Sequence, residues 1–250
     1  MMKKRLARRV KLTVAYQGTM YQGWQRQPHH RSIQRTLEKL LTNLLHETVE
    51  LTASGRTDAG VHALAQVAAF DHHTTFPTSR ICYVLNYHLP DDIQIISAEE
   101  VTSDFHPRYN AKRKIYTYKI HNSSLKDPLK SKLYWHVPEP LDVEKMREAA
   151  NYWVGEHDFC AFRSQGSSAK TTIRHIYSID VAHFGDEISL TFEGNGFLYN
   201  MARIMTAVLV MIGKGKLKPL EAKYLLETRD RNSVPWTAPP QGLYLKKVIY

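Results

Sequence analysis

From Val10 to Tyr16 apolar and polar residues alternate, with Leu12, Val14 and Tyr16 facing one way, which predicts a first β-strand. Gln17-Gly18-Thr19 breaks it, and a polar loop follows from Gly23 to Pro28 with Trp24 embedded in it. Ser32 suits a helix N-cap, and Ile33, Leu37, Leu40, Leu41, Leu44 and Leu45 then trace one helical face. A strand-like run, Glu50 to Ser54, leads into a turn, and Val61 to Phe70, nearly all apolar or small, leads out of it. Pro77 opens a helix predicted over 78–87 that Leu89-Pro90 stops, and Ile93 to Ala98 reads as a strand. The first half is therefore strand, helix, strand pair, helix, strand.

Phe105 to Asn110 forms an irregular connector, which places a boundary between halves 1–105 and 106–250. Ile115 to Ile120 alternates as a strand with Tyr116 and Tyr118 on one face, either packed on a core or displayed beside Lys112-Arg113-Lys114. The stretch from Asn122 to Pro140 reads as loop, with Lys126, Lys130 and Lys132 along it. Asp142 caps a helix that turns Val143, Met146, Ala149, Ala150 and Trp153 inward, with Gly155 closing it. Phe159 and Phe162 are assigned to core, and Arg163 to Thr172 to a polar Gly/Ser-rich loop. Two strands, His175 to Val181 and Glu187 to Glu193, turn at Gly185-Asp186. Asn195 or Gly196 opens an apolar helix running to Met211 and ended by Gly213. Arg203 is a charge within it that must snorkel to solvent or meet an anion. A helix from Pro219 to about Thr228, a Pro-rich loop from Val234 to Gly242 and a strand from Leu243 to Ile249 complete the chain.

Composition narrows the classes. With 250 residues, 43% of them hydrophobic, the chain can bury a substantial core, and disordered or collagen-like classes drop out. The net charge of +10 leans toward a polyanionic partner, although a merely basic protein would carry the same balance. Cys82 and Cys160 stand far apart without a C-x-x-C neighbour, which argues against a disulfide framework or zinc site and fits a reducing cytoplasm. His29-His30 and His72-His73 are adjacent pairs rather than ligand pairs one helical turn apart, so no metal is expected. Lys3-Lys4-Arg5 does not start a signal peptide, because Lys11 interrupts before any apolar core develops. The apolar run from Ala202 to Ile212 contains Arg203 and is too short to span a bilayer.

One stretch carries candidate chemistry: Ala53-Ser54-Gly55-Arg56-Thr57-Asp58-Ala59-Gly60-Val61-His62-Ala63. It sets a carboxylate, Asp58, in a turn between Gly55 and Gly60, with a guanidinium, Arg56, two residues earlier. Short loops fixed between strands are where reacting groups are held rigid yet reachable. The residues alone serve equally well as a hairpin whose Asp and Thr bond the turn. A phosphate-binding loop is a poor match, since Val61-His62 stands where Lys-Ser/Thr is required.

The string Gly-Arg-Thr-Asp-Ala-Gly-Val-His-Ala closely resembles the active-site motif of the tRNA pseudouridine synthase A family. Further segments agree in order: Gly23-Trp24-Gln25-Arg26-Gln27, Leu85-Asn86 with Leu89-Pro90-Asp91-Asp92-Ile93, and Asp104-Phe105-His106-Pro107-Arg108. Then come Tyr116-Thr117-Tyr118, Phe197-Leu198-Tyr199-Asn200-Met201-Ala202-Arg203 and Gly242-Leu243-Tyr244-Leu245, so the resemblance spans almost the whole chain. It implies an α+β fold of two ferredoxin-like halves, each an antiparallel sheet with helices on one side, the sheets joined edge to edge and an active cleft between. It implies conversion of uridine to pseudouridine at tRNA positions 38, 39 and 40 of the anticodon stem-loop. The N1–C1′ bond breaks, the uracil rotates, and C5 takes the link, with no cofactor and no metal. By the same resemblance Asp58 is the nucleophile, attacking either C6 or C1′, and Arg203 is the basic residue paired with it. Tyr116 stacks on the target base and handles protons, Leu243 lines the pocket beneath the base, and Arg56 helps hold the nucleotide out of its stack. The remaining basic charge grips the tRNA backbone, and the protein is implied to be a homodimer. Two other classes stay open: a non-catalytic RNA-binding protein, and a carboxylate-dependent hydrolase, which needs a second carboxylate that the motif lacks.

Overall fold

Alternation at the start of the chain becomes β1 (Arg8–Tyr16), whose inward residues Val10, Leu12, Val14 and Tyr16 are all buried. The computed structural model describes residues 6–166 and 169–250; Lys3, Lys4 and Arg5, and Ser167 and Ser168 of the Gly/Ser-rich loop, lie outside the described residues. Next come α1 (Ile33–Leu45), β2 (Thr52–Ala53), β3 (His62–His72), α2 (Thr78–His88) and β4 (Ile93–Val101). β1 pairs antiparallel with β3 on one side and β4 on the other, and β2 pairs with β3. Ser32 caps α1 by accepting the Arg35 N–H at 3.4 Å, and Ile33, Leu37, Leu41 and Leu45 are buried as the periodicity predicts. α2 starts after Pro77, and Asn86 pins it to β4, accepting the Ile95 N–H at 2.7 Å and donating to its carbonyl at 2.9 Å.

The strand expected over 50–54 is only two residues long. Side chains of α1 intercept its backbone: Glu38 accepts the Leu51 N–H at 2.9 Å, and Gln34 donates to the Leu51 carbonyl at 3.0 Å. A strand partner is not needed where side chains already satisfy the peptide groups.

A second set of elements comprises β5 (Arg113–Asn122), β6 (Trp135–Val137), α3 (Val143–Asn151), β7 (Gly155–Asp158), β8 (Ile173–Phe184), β9 (Glu187–Gly194), α4 (Met201–Gly213) and α5 (Glu221–Glu227). Its strands run in the order β5-β9-β8-β7, antiparallel throughout, while β6 adds to β5 in parallel. β6 replaces part of the loop expected over 122–140, because Asn122 clamps the carbonyls of Val137 and Glu139 at 2.8 and 2.7 Å. Asp142 caps α3 as expected, accepting the Lys145 N–H at 3.1 Å, but the helix ends at Asn151, and Gly155 opens β7 instead of closing the helix. α4 also starts later than predicted, at Met201. The Asn195 backbone is still committed to β8, donating to the His175 carbonyl at 3.0 Å, and the chain reaches the helix only after Asn200 adopts a left-handed conformation. Phe159, Phe162 and Trp153 are fully buried, and the Trp153 indole donates to the Ala222 carbonyl of α5 at 2.9 Å.

The last strand, β10 (Leu243–Ile249), follows β3 in the strand order. The chain divides into two units, one ending at Lys112 but including Leu245–Tyr250, the other Arg113–Tyr244. The returning segment is tied to the first unit by the Lys112 N–H on the Ile249 carbonyl at 2.8 Å and the Tyr250 hydroxyl on the Pro107 carbonyl at 2.8 Å. Sheets with segregated helices make the fold α+β. Among the described residues no helix is long and apolar enough to cross a membrane.

Candidate active site

In the first unit the turn from Gly55 to Val61 leaves the sheet between β2 and β3, where the register of β1 against β3 shifts between Val14 and Tyr16. Such a bulge re-aims the strand ends beside it. The turn is closed by the Val61 N–H on the Asp58 carbonyl at 3.1 Å. The loop after β1 holds it from outside: Trp24 donates its N–H to the Thr57 carbonyl at 3.0 Å, and the Gly60 N–H reaches the Tyr21 carbonyl at 3.3 Å. The two loops pack backbone to backbone. A Cβ on Gly23, whose φ is +84°, would lie 2.5 Å from the Thr57 oxygen, and one on Gly18 would lie 1.9 Å from the Val61 oxygen. Only glycine permits that approach. Trp24, 2% exposed, is an anchor for this packing.

Asp58 is half-buried and Arg56 is exposed. Beneath them lies a polar layer that sequence reasoning passed over. The Tyr16 hydroxyl and Thr57 Oγ1 are 2.7 Å apart, the Ser54 hydroxyl donates to Gln66 Oε1 at 2.6 Å, and Gln66 Nε2 donates to the Gly55 carbonyl at 2.9 Å. Tyr16, Ser54, Thr57 and Gln66 are all buried. Burial pushes the Tyr16 hydroxyl far above the ordinary phenol range, and the nearby Asp58 carboxylate pushes the same way, so Tyr16 stays a neutral donor. The signal was present: a tyrosine ends the apolar face of β1, and a lone glutamine interrupts the apolar run of β3.

Three predicted residues lie in the second unit. Tyr116, half-buried on β5, sets its ring edge-on to Phe197 at 5.0 Å, while Tyr118 two residues on is fully buried. The shared strand face thus holds one tyrosine in the core and leaves the other partly accessible. Arg203, in the first turn of α4, donates from Nε to the Ala238 carbonyl and from Nη1 to Asn200 Oδ1, each at 2.7 Å. The Ala238 N–H returns to the Arg203 carbonyl at 3.1 Å, which clamps the Pro-rich segment onto the helix. Leu243 follows that segment and is 5% exposed; just before it, a Cβ on Gly242 would meet the Tyr118 ring at 2.5 Å. One framework therefore seats Arg203, Leu243 and the β5 tyrosines, whereas Arg56 and Asp58 belong to the first unit. Among the described residues no group of three or more His, Cys, Asp or Glu could hold a metal ion.

The turn that presents Asp58 gives a carboxylate with its backbone fixed, as covalent catalysis by a carboxylate needs. Known proteins are similar to nearly the whole chain. "tRNA pseudouridine synthase A" of Thermoanaerobacter sp. (strain X514) is 45% identical over 243 residues, covering 97% of this chain and all of the relative. The proteins of that name from Acetivibrio thermocellus and Staphylococcus saprophyticus are 45% and 43% identical, over 97% and 96% of this chain and 100% and 90% of theirs. A solved structure of a Cbf5-Nop10-Gar1 complex aligns with 85% of this chain and 54% of its own, at 13% identity and a TM-score of 0.36, too slight to bear on fold or chemistry. The family model described as tRNA pseudouridine synthase matches residues 12–110 and 149–250, a span that takes in the Asp58 turn, Arg203 and Leu243, and the chain belongs to that family.

Proposed function

We propose that this protein isomerises uridine to pseudouridine at positions 38, 39 and 40 in the anticodon stem-loop of tRNA, with Asp58 as nucleophile. The observation that carries the reading is the intact Gly55–Ala63 motif, with its carboxylate half-buried on a turn fixed from two sides. The isomerisation breaks N1–C1′, forms C5–C1′, and moves one proton from C5 to N1. Asp58 supplies the attacking oxygen and leaves again, so no atom is gained or lost. A base paired and stacked in RNA is out of reach, and the nucleotide must be flipped. Tyr116 offers an aromatic face for the flipped uracil and a hydroxyl for proton handling; Leu243 offers an apolar surface beneath it. Arg203 contributes fixed positive charge, and exposed Arg56 helps keep the nucleotide extruded. The reading extends to a cytoplasmic homodimer that contacts tRNA backbone through its basic surface.

The test is incubation of the purified protein with unmodified tRNA, followed by pseudouridine mapping of the anticodon arm. Conversion at positions 38, 39 or 40 is expected, and it should persist in excess chelator once the tRNA is prefolded. Tight tRNA binding without conversion at stoichiometric protein would instead identify a non-catalytic RNA binder.

A further inference from the structure

We infer that Tyr16 and Gln66 are positioning residues: a buried brace that fixes the turn carrying Asp58 from behind. The inference rests on the catalytic role proposed for Asp58. Neither side chain reaches the protein surface, since Tyr16 is 5% exposed and Gln66 0%. Polar groups so buried are retained only where their hydrogen bonds are made, and here they are made to the turn.

The bonds address the two residues on either side of Arg56, Gly55 through its carbonyl and Thr57 through its hydroxyl. Gln66 Nε2 holds the Gly55 carbonyl at 2.9 Å, and its Oε1 accepts from the Ser54 hydroxyl at 2.6 Å and from the Val67 N–H at 3.1 Å. Tyr16 hydrogen-bonds Thr57 Oγ1 at 2.7 Å. The Thr57 backbone carbonyl is fixed in addition by the Trp24 N–H at 3.0 Å. Thr57 immediately precedes Asp58, so any slack in Thr57 passes directly to the carboxylate. The Tyr16 ring is seated against Trp24 at 6.0 Å between centroids, which keeps the hydroxyl aimed at the turn. β1 and β3 contribute one brace residue each at the point where their register shifts, so the sheet itself backs the turn. A rigid support of this kind matters because a misplacement of about 1 Å costs on the order of a hundredfold in rate.

Two variants test the brace by a split between rate and binding. Tyr16→Phe keeps the ring and removes the hydroxyl; single-turnover pseudouridine formation should fall about 10- to 100-fold while the tRNA Kd stays within about twofold. Gln66→Glu keeps the acceptor oxygen but can donate to the Gly55 carbonyl only when protonated. Its rate should therefore be highest at the acid end of the range and fall as pH rises, a limb absent from the wild type. Should Tyr16→Phe not fold, the pH profile of Gln66→Glu decides alone. Hydrogen exchange at the amides of residues 55–61 provides a readout that does not need turnover, and it should accelerate in both variants. If the wild type makes no pseudouridine, the proposed function fails, and exchange alone then judges the brace. Wild-type rate and wild-type exchange in folded Tyr16→Phe, or a wild-type pH profile in Gln66→Glu, would overturn the inference.

Discussion

At the scale of single residues, the account turns on how firmly one carboxylate is held. Asp58 was legible as a candidate because its neighbours spell a motif; Tyr16 and Gln66 stood out as polar breaks in apolar strands, but such a break gains a role only once its partner across the sheet is known. Gly23 shows how tight the support is. Its φ is +84°, and an added methyl would sit 2.5 Å from the Thr57 oxygen, so Gly23→Ala must push the turn away. A loss of about 1–3 kcal/mol in unfolding free energy, together with at least a tenfold slower turnover, is expected from denaturant titration and single-turnover assay. Tyr116 offers a second check. Tyr116→Phe should keep the edge-on contact with Phe197 at 5.0 Å and lose proton handling, and Tyr116→Ala should lose both. Both should turn over at least tenfold more slowly, with only Ala weakening the hold on the flipped base; wild-type turnover in both would remove Tyr116 from the site.

Among the elements, those with a long one-sided pattern could be read directly. α1 and α2 start and stop within a residue or two of the predicted positions, β1 and β9 alternate in burial, and β8 and β10 stand where strands were predicted. β6 and β7, three and four residues long, carry too few positions for a period to register, and their existence depends on partners far along the chain. The late start of α4 has the same cause, since the competing bond from Asn195 goes to His175 on another strand. Strand pairing also makes a pH prediction. Arg9 and Asp71 are direct cross-strand partners on β1 and β3, with Nε–Oδ1 at 2.8 Å and Nη2–Oδ2 at 2.6 Å. The hydrogen bond from Arg9 holds the Asp71 carboxyl below its usual range. A carboxyl lowered on folding contributes stability that is fully present above its unfolded pKa and is lost as pH falls through the folded value. With both side chains partly solvated, the contribution is at most about 1 kcal/mol. Asp71→Asn should therefore lower the melting temperature slightly at neutral pH, and the offset should vanish as pH falls through the folded pKa of Asp71; an offset that stays equal down to strongly acid pH would show that the effect is not the ion pair.

For the molecule as a whole, the proposed function assigns encounter with RNA to charge and chemistry to one turn. Some of the 34 Lys and Arg are paired internally, Arg113 with Glu193 at 2.9 Å and Lys214 with Glu139 at 2.8 Å, while Lys112, Lys216 and Lys218 are exposed. If about five phosphates are contacted, log affinity for tRNA should fall with log salt at a slope of about −4 to −5, read by filter binding; a flat titration would contradict an electrostatic grip. The return of Leu245–Tyr250 to the first unit could not be read from the residues of β10, because an apolar run says a strand exists and not which strand it joins. The central claim is that Asp58 performs covalent catalysis, and the most direct measurement is single-turnover pseudouridine formation by Asp58→Asn beside its tRNA binding curve. Asparagine preserves the shape and removes the charge and the nucleophile, so the account predicts tRNA affinity within about twofold of wild type and no detectable pseudouridine. Appreciable product from Asp58→Asn, with deamidation to aspartate excluded by mass, would contradict it.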